Sequence, residues 1–520
     1  MTQARAVRDA RRLVHALKEH GAFGHPVGDI ALLETHISWV LLTGEFAYKI
    51  KKPVKLEFLD FSTLADRKRC CDDELRLNRR WAPSLYLDVV AITGEPHAPA
   101  IGGSGSVLEY ALRMRQFPQA ARLDAQVEAG NVQGPDFVAL AEDIAARHLA
   151  APATAPHSRA EAVASVARPV MENFDYLQGI VGDGDLNALR LWTSRNLAAL
   201  EAVLADRQRK GFVRECHGDL HLGNLVRLED GIQAFDCIEF SKALRSIDVI
   251  SDVAFLVMDL AARSHEDLAS VFLNRYLEVT GDYGGLQVFG LYYVYHCLIR
   301  AKVAAIRSRE RDDPSAAEAD AAAACHYAAV AQRWIDSEAP TLVAMHGFSA
   351  SGKSWLSGQL MAALPAIRMR SDCERKRLHG LAETESSASA VGEDLYTDAA
   401  RGDVYEHLFT LAATVLKAGH SVILDGSFLE AGHRAQARKL AAACGAGFAI
   451  VSASASDAVL EQRLRARAGD ASEADVAVLA WQRRHADSLT QNERALSVVV
   501  DTEKVPPLAQ ITAQIGRLAP

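Results

Sequence analysis

The chain has 520 residues, 49% of them hydrophobic and 24% charged, the balance of an ordinary globular protein long enough for about two or three domains. Its 57 Lys and Arg against 66 Asp and Glu leave a net charge of -9 and a pI near 6.1, which argues against a general nucleic-acid-binding surface. The 8 cysteines form no C-x-x-C pair, no apolar run approaches membrane-spanning length, and the arginine-rich N-terminus lacks a signal-peptide core, so neither a zinc site, a disulfide framework nor a membrane partner is expected and the cytoplasm is the simplest location.

Residues 1 to about 25 read as a helix. Between Ile30 and Val54 the pattern is strand, tight turn, strand: His36 to Leu42, then Thr43-Gly44-Glu45, then Phe46 to Lys51. Phe46-Ala47-Tyr48-Lys49 has the form of the V-A-I-K strand, whose lysine contacts nucleotide phosphates. That lysine needs a glutamate partner on the next helix, and Glu74, within the helical stretch Arg67 to Arg80, is the candidate. The alternative is a solvated strand edge carrying Lys49, Lys51 and Lys52. Strands follow at Leu87–Ile92 and Leu108–Met114, and Gly102-Gly103-Ser104-Gly105 between them reads as a hairpin connection, since no helix follows it as a phosphate loop would require.

The next chemical stretch is His217-Gly218-Asp219-Leu220-His221-Leu222-Gly223-Asn224, spaced as the kinase catalytic loop H-x-D-x-x-x-x-N. In that pattern Asp219 accepts the proton of an attacking hydroxyl and Asn224 holds Mg²⁺, while Asp236, at the end of the strand Ile232–Phe235, supplies the further metal ligand. His217, Asp219 and His221 also read as a metallohydrolase ligand cluster, a reading that leaves Asn224 and Asp236 unused. Asp248 opens the following helix either as its N-cap or as a brace for the loop. Long helices then run over Tyr292–Arg307 and Ala316–Trp334, and 336–340 is the natural joint between a first domain, 1–338, and a second, 339–520.

The second domain opens on Gly347-Phe348-Ser349-Ala350-Ser351-Gly352-Lys353-Ser354, which fits the P-loop G-x-x-x-x-G-K-[ST]. The strand Thr341–His346 before it and the helix from Trp355 after it place backbone N–H groups at a helix N-terminus, where phosphate binds. Lys353 then neutralises the β/γ-phosphates and Ser354 ligates Mg²⁺. Further strands at Ala366–Arg370, Val422–Asp425, Phe448–Val451 and Ser497–Asp501 predict a five-stranded parallel sheet with ligands at the strand carboxyl ends.

The catalytic-loop stretch with Phe235-Asp236-Cys237-Ile238-Glu239 resembles the aminoglycoside phosphotransferase branch of the kinase-like fold. Together with Glu34 to Trp39, Ala47 to Pro53, Phe58 to Phe61 and Glu74 to Asn78, the whole chain resembles the bacterial bifunctional aminoglycoside phosphotransferase/ATP-binding proteins. The resemblance implies an α+β kinase-like domain followed by an α/β P-loop kinase domain, each using ATP and Mg²⁺ to phosphorylate a small-molecule hydroxyl. Two departures stand out: no G-x-G-x-x-G loop precedes Lys49, leaving the turn at Thr43-Gly44 to cover the phosphates, and Asp236 is followed by Cys237-Ile238 where protein kinases have Phe-Gly. The second half is similar to P-loop small-molecule and polynucleotide kinases. That similarity implies Asp372 as the acceptor's base, Asp425 near the Mg²⁺, and Arg463 and Arg467 on a lid over the transferring phosphoryl group; as alternatives, the two aspartates cap helices and the two arginines line a solvated face. One half acting instead as a nucleotide-sensing module that gates the other remains a second possibility.

Overall fold

In the computed structural model, which describes residues 3–56, 59–155, 158–381, 385, 398–466 and 475–518, the chain divides into two units. The first comprises residues 1–136, 146–158 and 206–259, the second 137–145, 159–205 and 260–520.

In the first unit β1 (Ala31–Glu34), β2 (Ser38–Leu42), β3 (Phe46–Lys51), β4 (Tyr86–Glu95), β5 (Ala98–Ile101) and β6 (Val107–Arg115) form an antiparallel kinase-like sheet ordered β1-β2-β3-β6-β4-β5. Helix α1 (Gln3–His20) buries Val14 and Leu17 in one apolar cluster with Trp39, Tyr48 and Ile50. Because successive strand residues point to opposite faces, Tyr48 and Ile50 take that side and Lys49 and Lys51 the other. Helix α2 (Leu64–Asn78), opened by Thr63 accepting the Asp66 N–H, packs against β4 and β6. The alternation that builds the core thus also aims two lysines away from it.

The expected Gly102–Gly105 hairpin is not formed. This stretch carries the chain from β5 to β6, which lie on either side of β4, and the true hairpin joins β4 to β5. A Cβ on Gly103 would lie 2.8 Å from Thr93 Oγ1, and one on Gly105 2.8 Å from Gly94 N, so the glycines serve a close crossing over the end of β4. Beyond the sheet, α3 (Gly134–Ala150) precedes the catalytic-loop stretch. A hairpin of β7 (Leu225–Leu228) and β8 (Gly231–Ala234) follows that stretch, and α4 (Val249–Ala262) closes the run.

The second unit holds helices α5 (Glu266–Thr280), α6 (Leu286–Glu310) and α7 (Pro314–Ile335), then β9 (Thr341–His346), α8 (Lys353–Ala363), β10 (Ile367–Arg370), α9 (Ser371–Leu378), α10 (Asp398–Lys417), β11 (Val422–Asp425), α11 (Ala431–Ala443), β12 (Gly447–Ser454), α12 (Asp457–Ala466), α13 (Val476–His485), β13 (Ser497–Asp501) and α14 (Leu508–Leu518). The five strands form the expected parallel sheet, ordered β10-β11-β9-β12-β13. Leu342, Val343, Ala344 and Met345 in the middle strand are all buried, as a strand covered on both faces requires. Among the described residues no helix is long and apolar enough to cross a membrane.

Trp334 on α7 stacks on Tyr293 of α6 at 4.4 Å, with Phe289 and His420 against its ring. Gly290 lies beneath it, where a Cβ would come 2.8 Å from the indole nitrogen. Alanine for glycine inside a helix ordinarily stabilises by about 0.5–1 kcal/mol, but overpacking costs about 1–3 kcal/mol. Gly290→Ala should therefore lower the melting temperature; a rise would show that the indole yields. His420 is buried with no partner for Nε2, and burial lowers its pKa from 6.5 to about 4. The unfolded chain takes up this proton first, so stability falls as pH drops from 6.5 towards 4. A His420→Phe variant should show a shallower dependence of melting temperature on pH across that window.

Candidate functional site

On the α2 side of the first sheet, charges alternate along a chain of contacts. Lys49 Nζ donates to Asp236 Oδ1 at 2.5 Å and to Glu74 Oε1 at 2.7 Å, and Lys51 Nζ meets Glu74 Oε2 at 2.5 Å and bonds Glu239. Glu74 and Lys51 have no exposed side-chain surface. Burial alone would lower the Lys49 pKa; the Asp236 and Glu74 carboxylates outweigh it and hold the ammonium well above its ordinary range. Burial would likewise raise Glu74, but Lys49 and Lys51 hold it low. The structure thus brings together Lys49, Glu74 and Asp236, and adds Lys51 and Glu239. The spacing of Lys51, two residues after Lys49 on one strand face, could have announced it.

Asp236 sits at φ 61°, its N–H donating to the Tyr86 hydroxyl and that of Cys237 to Asn78 Oδ1. This left-handed turn swings the Asp236 carboxylate towards Lys49. Across from it Asn224 donates to the Asp219 carboxylate at 2.8 Å and to the Asp219 carbonyl at 3.0 Å, and the Asn224 carbonyl accepts the Phe235 N–H. Asp219, Asn224 and Asp236 offer only oxygen ligands to a cation, the donor set that suits Mg²⁺.

The loop is braced from beneath. Asp252 on α4 accepts the N–H of His217 at 2.7 Å and of Gly218 at 2.9 Å, and His148 Nε2 lies 3.3 Å from it. His217 donates from Nε2 to the Phe235 carbonyl and accepts the Asp219 N–H at Nδ1, so both ring nitrogens are committed and burial lowers its pKa. With no lone pair left, His217 does not serve the metal-ligand reading of His217, Asp219 and His221. His148, Cys216 and Asp252 do bring ligand-type atoms within 4.8 Å of one another. These are hydrogen-bonded structural atoms: Asp252 holds the loop, the Cys216 thiol donates to the Ile247 carbonyl, and burial raises its pKa well above the usual range. Of the two roles expected for Asp248, cap or brace, it takes the cap: it accepts the Ile250 N–H at the start of α4 and a paired bond from Arg207 at 2.6 and 2.8 Å. The brace lies one turn further along, where Asp252 can reach backbone that sequence order does not reveal.

In the second unit Gly347 (φ 138°) and Gly352 (φ 85°) take conformations that other residues rarely adopt. A Cβ on Gly347 would lie 2.4 Å from the Ala453 carbonyl, so the loop closes tightly on the sheet. Ser349, Ala350, Gly352, Lys353, Ser354, Asp372, Asp425 and Arg463 line one cavity of about 710 Å³. Among the described residues the buried Ser351 hydroxyl has no hydrogen-bond partner, and Lys353 Nζ donates to the Phe348 carbonyl across the loop at 2.7 Å. A glycine cradle with an orphaned hydroxyl at a helix N-terminus fits a bound phosphate chain. Asp425 accepts from Ser354 at 3.3 Å and from Ser357 at 2.8 Å. Asp372, the first turn of α9, pairs with Arg375. Arg463 donates to the Ala350 carbonyl and to Thr502, while Arg467 lies outside the described residues.

In the second unit Thr502, Gln482 and Ser357 escaped the sequence reading. Thr502 donates to the Ser351 carbonyl and crowds Gly352, Gln482 accepts the Ser349 N–H, and Ser357 supports Asp425. Ser357 was findable as one helical turn after Ser354, and Thr502 as the residue after a strand's carboxyl end. Gln482, on a separate helix, gave no local signal.

Residues 342–489 match the family described as AAA domain. Uncharacterized proteins of Mycobacterium tuberculosis (strain ATCC 25618 / H37Rv) and Mycobacterium bovis are each 31% identical over 464 residues, covering 88% of this chain and 90% of the relative. The chain belongs to the family of these mycobacterial proteins. Among solved structures, amicoumacin kinase hAmiN in complex with AMP-PNP, Ca²⁺ and Ami is similar over 63% of this chain and 95% of its own, at 12% identity and TM-score 0.40. A gluconokinase from Sinorhizobium meliloti 1021 is similar over 35% of this chain and 95% of its own, at 22% identity and TM-score 0.25.

The brace is open to test. Asparagine at position 252 offers one acceptor where two N–H groups converge, leaving a buried donor facing another donor, a loss of about 1–3 kcal/mol. Asp252→Asn should lower the melting temperature and raise amide exchange at residues 217–224, while nucleotide binding at the P-loop is unaffected. Unchanged exchange there would remove Asp252 from the brace.

Proposed function

We propose that this protein is a phosphotransferase with two nucleotide sites, one in residues 1–338 and one in 339–520, each passing a phosphoryl group to a hydroxyl of a small molecule or a nucleic-acid end. The observation that carries the reading is the set of contacts, from segments far apart in sequence, that pair Lys49 with Glu74 and Asp236 and tie Asn224 to Asp219 and to Phe235, the residue before Asp236; the second unit separately holds a P-loop cavity lined in part by Asp372. ATP bound with Mg²⁺ would supply the γ-phosphoryl group at each site.

In the first half, Lys49 neutralises phosphate charge while Glu74 and Lys51 hold its position, and Asn224 with Asp236 presents oxygen ligands to the cation. Asp219, oriented by Asn224, accepts the proton of the acceptor hydroxyl. In the second half, the loop N–H groups and Lys353 hold the phosphates, Ser354 and Asp425 face the cation, Arg463 steadies the loop beside the phosphoryl group, and Asp372 takes the acceptor's proton. Both sites then perform one chemistry with unrelated scaffolds.

The experiment is γ-³²P transfer from ATP into a library of small hydroxylated molecules. Asp219→Ala should lower label on one set of products by roughly 10²–10⁴-fold, the usual worth of a general base, with P-loop nucleotide binding intact. Lys353→Ala should remove the other set. Loss of both sets with either variant, in folded protein, would count against independent sites. No transfer at all, with ATP still held at the P-loop, would turn the reading towards nucleotide sensing.

A further inference from the structure

The sheet of the second unit has one edge at β10, which pairs only with β11 within the sheet. An open parallel edge leaves backbone donors and acceptors unpaired. Here Asn274 on α5 does what a neighbouring strand would do: its Oδ1 accepts the Arg368 N–H at 2.7 Å and its Nδ2 donates to the Ala366 carbonyl at 3.0 Å. One turn further along α5, Glu278 is about nine-tenths buried and grips the start of α9. Its carboxylate takes Arg370 Nη1 at 3.3 Å and the Cys373 thiol at 3.2 Å, with Arg275 at 3.0 Å on its other oxygen. Burial would raise the Glu278 pKa, yet Arg370 and Arg368 hold it below the ordinary range, so the grip is ionic.

Asp372 stands between the two residues that Glu278 holds. Further down the helix Arg377 donates to the Glu278 carbonyl, and Glu374 is fixed by Tyr283, Arg377 and His407. Gly281, just past the end of α5, sits at φ 70°, a conformation that favours glycine, with the Arg377 guanidinium against it. Every one of these partners on α5 and the turn after it precedes the P-loop by more than sixty residues, as the numbering shows.

We propose that Glu278 is a positioning residue for phosphoryl transfer in the P-loop half: by clamping Arg370 and Cys373 it sets the orientation of Asp372 towards the acceptor. The inference rests on the proposed phosphotransferase reading of that half. General-base catalysis depends on placement before basicity, and a misplacement of about 1 Å can cost on the order of a hundredfold in rate. A glutamine at 278 keeps the volume and can still accept, but it gives up the charge that Arg370, Arg275 and the thiol converge on.

The test uses the full chain with Asp219→Ala throughout, so that turnover reports the P-loop half, and ATP hydrolysis with water as acceptor is the assay. Glu278→Gln should raise amide exchange over residues 370–378 with that over 353–363 unchanged, and should lower kcat roughly ten- to a hundredfold while the KM for ATP stays within about twofold. Cys373→Ala, which removes the thiol's contact with Glu278 and leaves that of Arg370, should move both readouts the same way by less. Unchanged exchange over 370–378 in Glu278→Gln overturns the proposal, and so does raised exchange with kcat intact. A KM for ATP that rises in step with the fall in kcat also overturns it, since that is general loosening. If the parent shows no ATP turnover, the phosphotransferase reading of this half fails by itself, and the exchange measurement still decides whether Glu278 holds the helix.

Discussion

A carboxylate with no exposed surface, Glu74, takes one lysine on each oxygen, and the first unit is arranged around that fact. A buried charge is tolerated only when paired, and breaking such a pair leaves an uncompensated ion in low dielectric. The two lysines come from one strand at alternate positions, so a single residue of register slip in β3 would turn both into the apolar cluster of Trp39 and Leu17. Register, core and charge placement are therefore one constraint. Two lysines also divide the labour. Lys51, gripped by Glu74 and Glu239, helps hold Glu74 low in pKa and fixed, so that on the proposed reading Lys49 could exchange its Asp236 contact for a phosphate without stranding the glutamate.

The second unit reaches a similar electrostatic end by other means. Its loop presents backbone N–H groups at the start of α8 together with Lys353, and the surrounding residues hold that loop in shape. Ser427 gives its carbonyl to the Gly347 N–H, Gln482 takes the Ser349 N–H, and Thr502 with Arg463 ties down the carbonyls of Ser351 and Ala350. These four residues lie beyond strand ends or on helices from different parts of the sheet. A parallel sheet collects such contacts at its carboxyl edge, because every strand leaves the layer there. The antiparallel first unit has no such common edge and must build its site from side chains on one face.

The contrast explains what the sequence disclosed. The five parallel strands, the Lys49 strand and the P-loop were legible because each is specified within about ten residues by periodicity or by turn chemistry. Glu74 and Asp236 were legible through order along the chain. The brace was not: sequence order pointed to Asp248 as cap or brace, and only the packing of α4 beneath the loop puts Asp252 there. Gly102–Gly105 misled for a related reason. Glycines signal a tight backbone path, and whether that path turns back or crosses over depends on which strand lies beside β4. Glu278 and Asn274 left no local trace, since their partners lie about ninety residues away.

The two proposed bases share a feature that bears on mechanism. Asp219 is held by an amide five residues along, and Asp372 by a guanidinium three residues along on the same helix turn. Each partner donates to the carboxylate and so fixes where it points. A strong base is not what phosphoryl transfer asks for when its transition state is loose and bond formation to the nucleophile lags. What it needs is a carboxylate already aimed, so that the hydroxyl is oriented in line and its proton has somewhere to go late in the step. On the proposed reading both units supply that, on an irregular loop in one and at a helix N-terminus in the other. The recurrence of the same local device on unrelated scaffolds is the physical ground for assigning the same kind of work to both halves.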